Sequence, residues 1–241
     1  MDPASLLAPL AAAPERTAII LDVDGTLAPI APRPELAAVP AETKAELARI
    51  TGSYLLVACL SGRPGEEVAR LVGIEGIRYV GNHGLELDGL AEESIAALAR
   101  FRDLARAVWP IEDKGLSLAF HYREADDPRA ARRALERLAD LARSEGLDAR
   151  WGRKVLEIRP PIAADKGTAL RRLITEAGAD QALYAGDDTT DVDAFRGLGE
   201  LHLRHAVRIA VSSLEAPPAL IAAADLVAGG PGGLLSLLRL L

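Results

Sequence analysis

One cysteine is all that this 241-residue chain carries, so no internal disulfide framework exists and a reducing compartment is expected. Cys59 stands inside an apolar run and reads as a core side chain. Lysine is nearly as scarce, with only Lys44, Lys114, Lys154 and Lys166 beside a large arginine population. Neither clustered cysteines nor a paired-histidine spacing is present, which removes the usual zinc donor sets. Positive charge is in deficit, with a net charge of -7; this argues against nucleic acid, whose phosphate backbone calls for clustered excess cations. No apolar stretch approaches membrane-spanning length, and residues 1–14 lack the basic n-region of a signal peptide. A cytoplasmic protein without membrane contact is therefore expected. Internal repeats and low-complexity tracts are missing as well.

What is present begins with apolar mass. Hydrophobic residues make up 49% of the chain, ample for one large domain or for a domain carrying a smaller inserted one. The run at 18–21 ends abruptly in Asp22-Val23-Asp24-Gly25-Thr26, which reads as a buried strand feeding a tight turn. Positions i and i+2 of an extended segment point the same way, so Asp22 and Asp24 are expected to face one pocket beyond the strand. Two carboxylates held that close repel unless they share a cation or a proton. A metal is expected there.

Pro29, Pro32, Pro34 and Pro40 then predict a stiff connection that is not helical. A helix is predicted over 41–50 and a second apolar strand over 54–60, followed at once by Ser61-Gly62-Arg63-Pro64. Pro64 fits the first position of a helix running to about residue 71. Backbone donors at such a start suit a phosphate, while a plain N-cap is the alternative role for Ser61. A short strand at 77–80 ends in Gly81-Asn82-His83-Gly84, whose glycines permit a sharp turn and whose Asn82 and His83 offer polar contacts. An ordinary loop histidine is the other reading of His83.

From about residue 88 the texture changes. Charged amphipathic helices are predicted at 92–108 and 127–145, with alternating, strand-like segments at 115–123 and 150–159. That pattern predicts a small α+β domain at 90–160, with one covered sheet face, inserted into a main domain of residues 1–89 and 161–241. The main domain resumes with a helix at 165–177 and a strand at 182–185. Next come Gly186-Asp187-Asp188-Thr189-Thr190-Asp191, a helix to 197, strands at 207–211 and 224–227 around a proline-containing turn, and a Leu-rich helix. Strands alternating with helices predict a parallel sheet.

Ligands of an open parallel sheet bind beyond the carboxyl ends of its strands. Asp22, Asp24, Ser61, Asn82, His83, Asp187, Asp188 and Asp191 all directly follow predicted strands. Asp187 and Asp191 are four apart across a helix start, where two carboxylates can face the same way. Such hard oxygen donors suit Mg2+, which keeps several waters and pairs with a few carboxylates and a phosphate. Lys166 adds a positive charge, and lysine in a chain that habitually uses arginine points to a need for a compact point charge. A solvated first-turn lysine is its plainer reading.

Four stretches in order, Asp22-Val23-Asp24-Gly25-Thr26, Ser61-Gly62-Arg63, Lys166-Gly167 and Gly186-Asp187-Asp188 with Asp191, resemble the four motifs of the haloacid dehalogenase (HAD) superfamily. The resemblance implies an α/β fold: a Rossmann-like core with a parallel sheet flanked by helices. It also implies a nucleophilic Asp22, a proton-shuttling Asp24, and Ser61 and Lys166 holding the phosphoryl group. Mg2+ would lie among Asp22, Asp24, Asp187, Asp188 and Asp191, and the insertion between the second and third motifs looks like that superfamily's C2-type cap, a lid over the substrate.

Within the superfamily, Gly81-Asn82-His83-Gly84, residues 112–123, residues 152–159, and Asp187 to Asp191 followed by Asp193-Ala194-Phe195 resemble the trehalose-6-phosphate phosphatases over nearly the whole chain. What that implies is a Mg2+-dependent phosphatase for a small sugar phosphate; a monomer is expected. Its substrate contacts would fall on Gly25, Thr26, Arg63, Asn82 and His83 in the core, and on Glu112, Lys114, Arg123 and Glu157 in the cap. Surface ion pairs are the plainer reading of those cap charges. Val23 and Val192 depart from the family's usual residues. Two other functions fit the same core motifs: a phosphatase or mutase for another sugar phosphate (sucrose phosphate, a mannosyl phosphate, glucosylglycerol phosphate), and a non-catalytic sugar-phosphate sensor.

Overall fold

The computed structural model describes every residue except 1, 32, 89–91, 106–108, 153, 163 and 214–215. Three expectations, the role of Pro32, a helix end at residue 108 and a domain break at 90, lie outside the described residues. The chain divides into two compact units, Met1–Gly84 with Ala164–Leu241, and Leu85–Ala163.

The first unit opens with α1 (Pro3–Ala11), a helix that was not predicted and that carries Pro9 in its interior. Pro3 sits in the first turn, where a missing N–H costs nothing, and Asp2 caps it by accepting from the Ser5 N–H at 3.3 Å. Next, β1 (Thr17–Leu21) is buried along its whole length, which is why its sequence is apolar without alternation. The proline-rich connection is not wholly free of helical geometry: Pro34–Leu36 form one 3-10 turn. It leads into α2 (Ala41–Thr51), β2 (Leu56–Leu60), α3 (Gly65–Val72) and β3 (Arg78–Val80). Pro64 precedes α3 as its N-cap instead of occupying the first turn, and Gly73, at φ 69°, closes it in the left-handed conformation.

The second unit contains α4 (Leu85–Asp88), α5 (Glu92–Ala105), β4 (Glu112–Asp113), β5 (Leu118–His121), α6 (Pro128–Ser144), β6 (Asp148–Gly152) and β7 (Val155–Arg159). The single segment predicted at 150–159 is really a hairpin, turning through Lys154 at φ 53°. Each strand alternates on its own, and the core-facing phase shifts by one at the turn, from Ala149 and Trp151 in β6 to Leu156 and Ile158 in β7. Their antiparallel sheet has the order β4-β5-β7-β6. One face, with Leu118, Phe120, Leu156 and Ile158, packs on Phe101 of α5 and Leu135 of α6. Since alternate residues take opposite faces, the cross-strand row Glu112, Ala119, Glu157 and Arg150 lies on the other.

The first unit then continues with α7 (Lys166–Ala177), β8 (Gln181–Gly186), α8 (Thr189–Gly199), β9 (His205–Ser212), α9 (Pro218–Ala223), β10 (Leu226–Gly229) and α10 (Gly230–Leu238). The expected proline turn holds α9, with Pro218 in its first turn. Six strands, all parallel, form a sheet in the order β10-β9-β8-β1-β2-β3. Leu47 and Ile50 of α2, Val68 and Val72 of α3, and Leu234 and Leu238 of α10 join Ile19, Leu21, Val57 and Leu183 in one apolar core.

Candidate active site

Because all six strands run the same way, the residues after β8, β1, β2 and β3 line one rim of the sheet: Asp187, Asp22, Ser61 and the Asn82 turn. The Asp22 N–H donates to the Ala185 carbonyl at 2.9 Å, so the ladder runs one residue past β1 and fixes Asp22 beside β8. Carboxylate oxygens of Asp22, Asp187 and Asp191 lie within 4.8 Å of one another, and all three residues are buried. Lys166 Nζ reaches two of them, donating to Asp22 Oδ1 at 2.6 Å and to Asp191 Oδ1 at 2.7 Å.

The start of α7 delivers that lysine. Asp165 caps the helix through a reciprocal pair of bonds with Thr168, at 2.8 and 2.9 Å. A methyl group at Gly167 would collide with the Asp193 carbonyl, and one at Gly197 with the Gly167 backbone. The glycine after Lys166 therefore lets the first turn of α7 lie against α8, bringing the ammonium to Asp191.

Asp191 takes bonds on both oxygens. Its Oδ1 accepts from Lys166 and from the Tyr184 hydroxyl at 2.6 Å, and its Oδ2 from the backbone N–H groups of Asp187 at 2.9 Å and Asp188 at 2.8 Å. Tyr184 escaped the sequence reading. A tyrosine inside an aliphatic strand just ahead of acids was the available signal, because a buried phenol needs a partner. Asp187 Oδ1 accepts from the Thr26 hydroxyl at 3.1 Å. Gly25, at φ 85°, leaves room for the same carboxylate, which any Cβ there would strike. Expected as substrate contacts, Gly25 and Thr26 are seen to position Asp187.

Asp24 does not turn its side chain into this cluster. Arg63 holds both its oxygens, Nε donating at 2.6 Å and Nη2 at 2.8 Å, and also pairs with Glu67 and donates to the Pro34 carbonyl at 3.1 Å. The expectation of two acids facing one pocket assumed extended chain through Asp24. Instead β1 ends at Leu21, and the N–H groups of Thr26, Leu27 and Ala28 all fold back on the Val23 carbonyl. The Asp188 side chain is exposed, so this residue brings its backbone N–H to the cluster.

Buried Ser61 accepts from the Arg63 N–H at 3.2 Å through its hydroxyl. The Ser61 carbonyl accepts from the His83 N–H, and the Arg63 carbonyl from the Asn82 N–H, each at 2.9 Å, tying the turns after β2 and β3 together. Asn82 and His83 adopt left-handed backbones, φ 51° and 54°. Such a non-glycine pair marks a constrained turn of the kind found at functional sites. The His83 ring leaves no room for a side chain at Gly62.

In the second unit, Ser117 donates to Glu157 Oε1 at 3.0 Å, and Lys114 Nζ stands 3.9 Å from the same oxygen. Glu112 Oε2 lies 2.6 Å from His121 Nε2. Arg123 is exposed. The sheet thus gathers Glu112, Lys114 and Glu157 on neighbouring strands and turns.

The acid cluster is electrostatically incomplete by itself. Burial pushes the Asp22 carboxyl up to about 7 against the pull of Lys166, with further repulsion from Asp191. Burial likewise carries Asp187 up to about 9, reinforced by Asp22 and Asp191. Burial works against the Lys166 ammonium, yet the surrounding carboxylates outweigh it and leave its pKa raised. Three buried acids facing one lysine fit a divalent cation, since hard oxygen donors with surplus negative charge are what such an ion requires. Cys59 is fully buried and its thiol is pushed up by burial, in keeping with a core role. Among the described residues no helix is long and apolar enough to cross a membrane.

A haloacid dehalogenase-like hydrolase from Bacteroides thetaiotaomicron matches this structure with a TM-score of 0.66 over 93% of this chain and 98% of its own, at 15% identity. The C-terminal domain of the C. albicans trehalose-6-phosphate phosphatase matches with a TM-score of 0.75 over 100% and 96%, at 21% identity. The parallel sheet with helices on its faces is the haloacid dehalogenase fold, and the small antiparallel sheet fits a cap. The pattern of the trehalose-phosphatase family matches residues 20–105 and 103–223; the chain belongs to that family. A trehalose-phosphate phosphatase from Mycobacterium marinum is 35% identical over 208 residues, 76% of this chain. An uncharacterized glycosyl hydrolase from Mycobacterium tuberculosis is 38% identical over 204 residues, 75% of this chain. The chain spans 52% of the first relative's length and 15% of the second's.

Proposed function

We propose that this chain is a phosphatase that hydrolyses trehalose 6-phosphate to trehalose and inorganic phosphate. The observation that carries the reading is Lys166 bridging Asp22 and Asp191, with the Asp187 carboxylate beside them, at the carboxyl rim of the sheet. Phosphoryl transfer depends on positioning and charge neutralisation more than on a strong nucleophile. Asp22 attacks phosphorus; the bond to the sugar oxygen breaks as the Asp22–phosphorus bond forms. Asp24 gives that oxygen a proton, then takes one from the water that releases phosphate from the aspartyl-phosphate. In the structure both Asp24 oxygens accept bonds from Arg63, so Asp24 has to release that pairing to take up and pass on the proton. Lys166 and Ser61 hold the phosphoryl oxygens. Mg2+ would be held by Asp22, Asp187 and the Asp24 backbone carbonyl, with Asp188 and Asp191 orienting its surroundings, and would supply the charge that offsets the phosphate. Glu112, Lys114, Arg123 and Glu157 read the sugar hydroxyls.

The test is phosphate release from a panel of sugar phosphates, with and without chelator. Trehalose 6-phosphate is expected to be the best substrate and chelation to stop its turnover. Asp22→Asn keeps the shape but removes the nucleophile, so phosphate release should fall by about three orders of magnitude or more. Near-normal turnover by that variant would end this reading.

A further inference from the structure

We propose that Tyr184 sets which divalent cation the site prefers, by keeping Asp191 out of the metal's coordination shell; the inference rests on the metal site proposed above. An ionised carboxylate offers about four lone-pair positions. Those of Asp191 are filled by Lys166 Nζ, the Tyr184 hydroxyl, and the N–H groups of Asp187 and Asp188, at 2.7, 2.6, 2.9 and 2.8 Å. Withdrawing the two backbone donors would undo the turn into α8, and withdrawing Lys166 would strand a buried ammonium. Tyr184 is the one donor that can be deleted alone. Its ring is buried edge-to-face against Phe195, with centroids 6.1 Å apart, so the hydroxyl is aimed by packing.

With Asp191 filled, the protein offers a cation two carboxylates, Asp22 and Asp187. That number suits Mg2+, which keeps waters and a strict octahedron; Ca2+ takes more oxygens in looser geometry and gains more from a third carboxylate. Asp191 belongs to the same three-acid cluster. The lone pair that loss of the hydroxyl frees is on its Oδ1, which Lys166 Nζ bridges to Asp22 Oδ1 through bonds of 2.7 and 2.6 Å, on the side where the ion would be held. Tyr184 is thus a positioning residue with a selective consequence.

Tyr184→Phe keeps the ring and removes only the hydroxyl. Calorimetric titration of Mg2+ and of Ca2+ into metal-stripped wild-type and Y184F protein reads the preference without turnover. The Ca2+ to Mg2+ affinity ratio is expected to rise by about tenfold in Y184F, the scale on which outer-shell partners act. Adding Asp191→Asn to that variant should return the ratio toward the wild-type value. A ratio unmoved in Y184F, or moved toward Mg2+, would overturn the inference. So would wild-type protein that binds Ca2+ more tightly than Mg2+, a result that needs no variant to fold. Absence of binding by the wild type to either ion would instead overturn the metal site itself, and this inference with it.

Discussion

Lys166 is a buried cation among three buried acids, and the balance it leaves is a statement about protons. A carboxyl in an unfolded chain titrates near 4, whereas burial holds Asp22 near 7 and Asp187 near 9 in the metal-free fold. Between those limits the folded form binds more protons than the unfolded one. Their contribution to stability is therefore fully present below about pH 4 and is lost as pH rises toward 9. Mg2+ bound as proposed would replace the protons, so the rise in thermal midpoint on adding Mg2+ should grow steadily between about pH 5 and pH 9. Differential scanning calorimetry with and without chelator measures it. A Mg2+ increment independent of pH would show that these two acids do not meet the ion.

At the scale of elements, the site depends on how α7 meets α8. Gly167→Ala inserts a methyl group where the Asp193 carbonyl already lies. It should cost about 1–3 kcal/mol, the usual range for overpacking, and lower phosphate release beyond that loss by shifting Lys166; chemical denaturation and an activity assay read the two effects. In the second unit, Glu157→Ala removes the oxygen that Ser117 and Lys114 share. Discrimination between trehalose 6-phosphate and a simple hexose phosphate should drop by about tenfold or more, because hydroxyl recognition rests on paired polar groups. Unchanged relative rates across the panel would remove Glu157 from the specificity role. The sequence showed β1, β2 and β8 plainly, since strands buried on both faces carry unbroken apolar runs ending in chemistry-bearing residues. It concealed the β6–β7 hairpin, where each strand alternates but the apolar phase shifts by one across the turn, from Ala149 and Trp151 to Leu156 and Ile158, and α1, which carries Pro9 in its interior. Asp22, Lys166, Asp187 and Asp191 were legible because their motifs abut strand ends or a helix start. The pairing of Asp24 with Arg63 and of Tyr184 with Asp191 was not, because each depends on where a turn leads the chain.

Over the whole molecule, the first unit is assembled from two stretches separated by the second, which has its own core and its own sheet. Lys166 and Asp22 are 144 residues apart in sequence, and Asp187 and Thr26 are 161. Strand β1 at the centre of the sheet finds β2 nearby but must wait for β8. On a translating ribosome the apolar edge of β1 therefore emerges well before its second neighbour, while the inserted unit can close on its own residues first. The nascent polypeptide carries an open, sticky flank for much of its synthesis. Slowing elongation just before residue 181 would prolong that vulnerable interval, so aggregation during expression should be more sensitive to synonymous codon changes there than to those after β9 is complete.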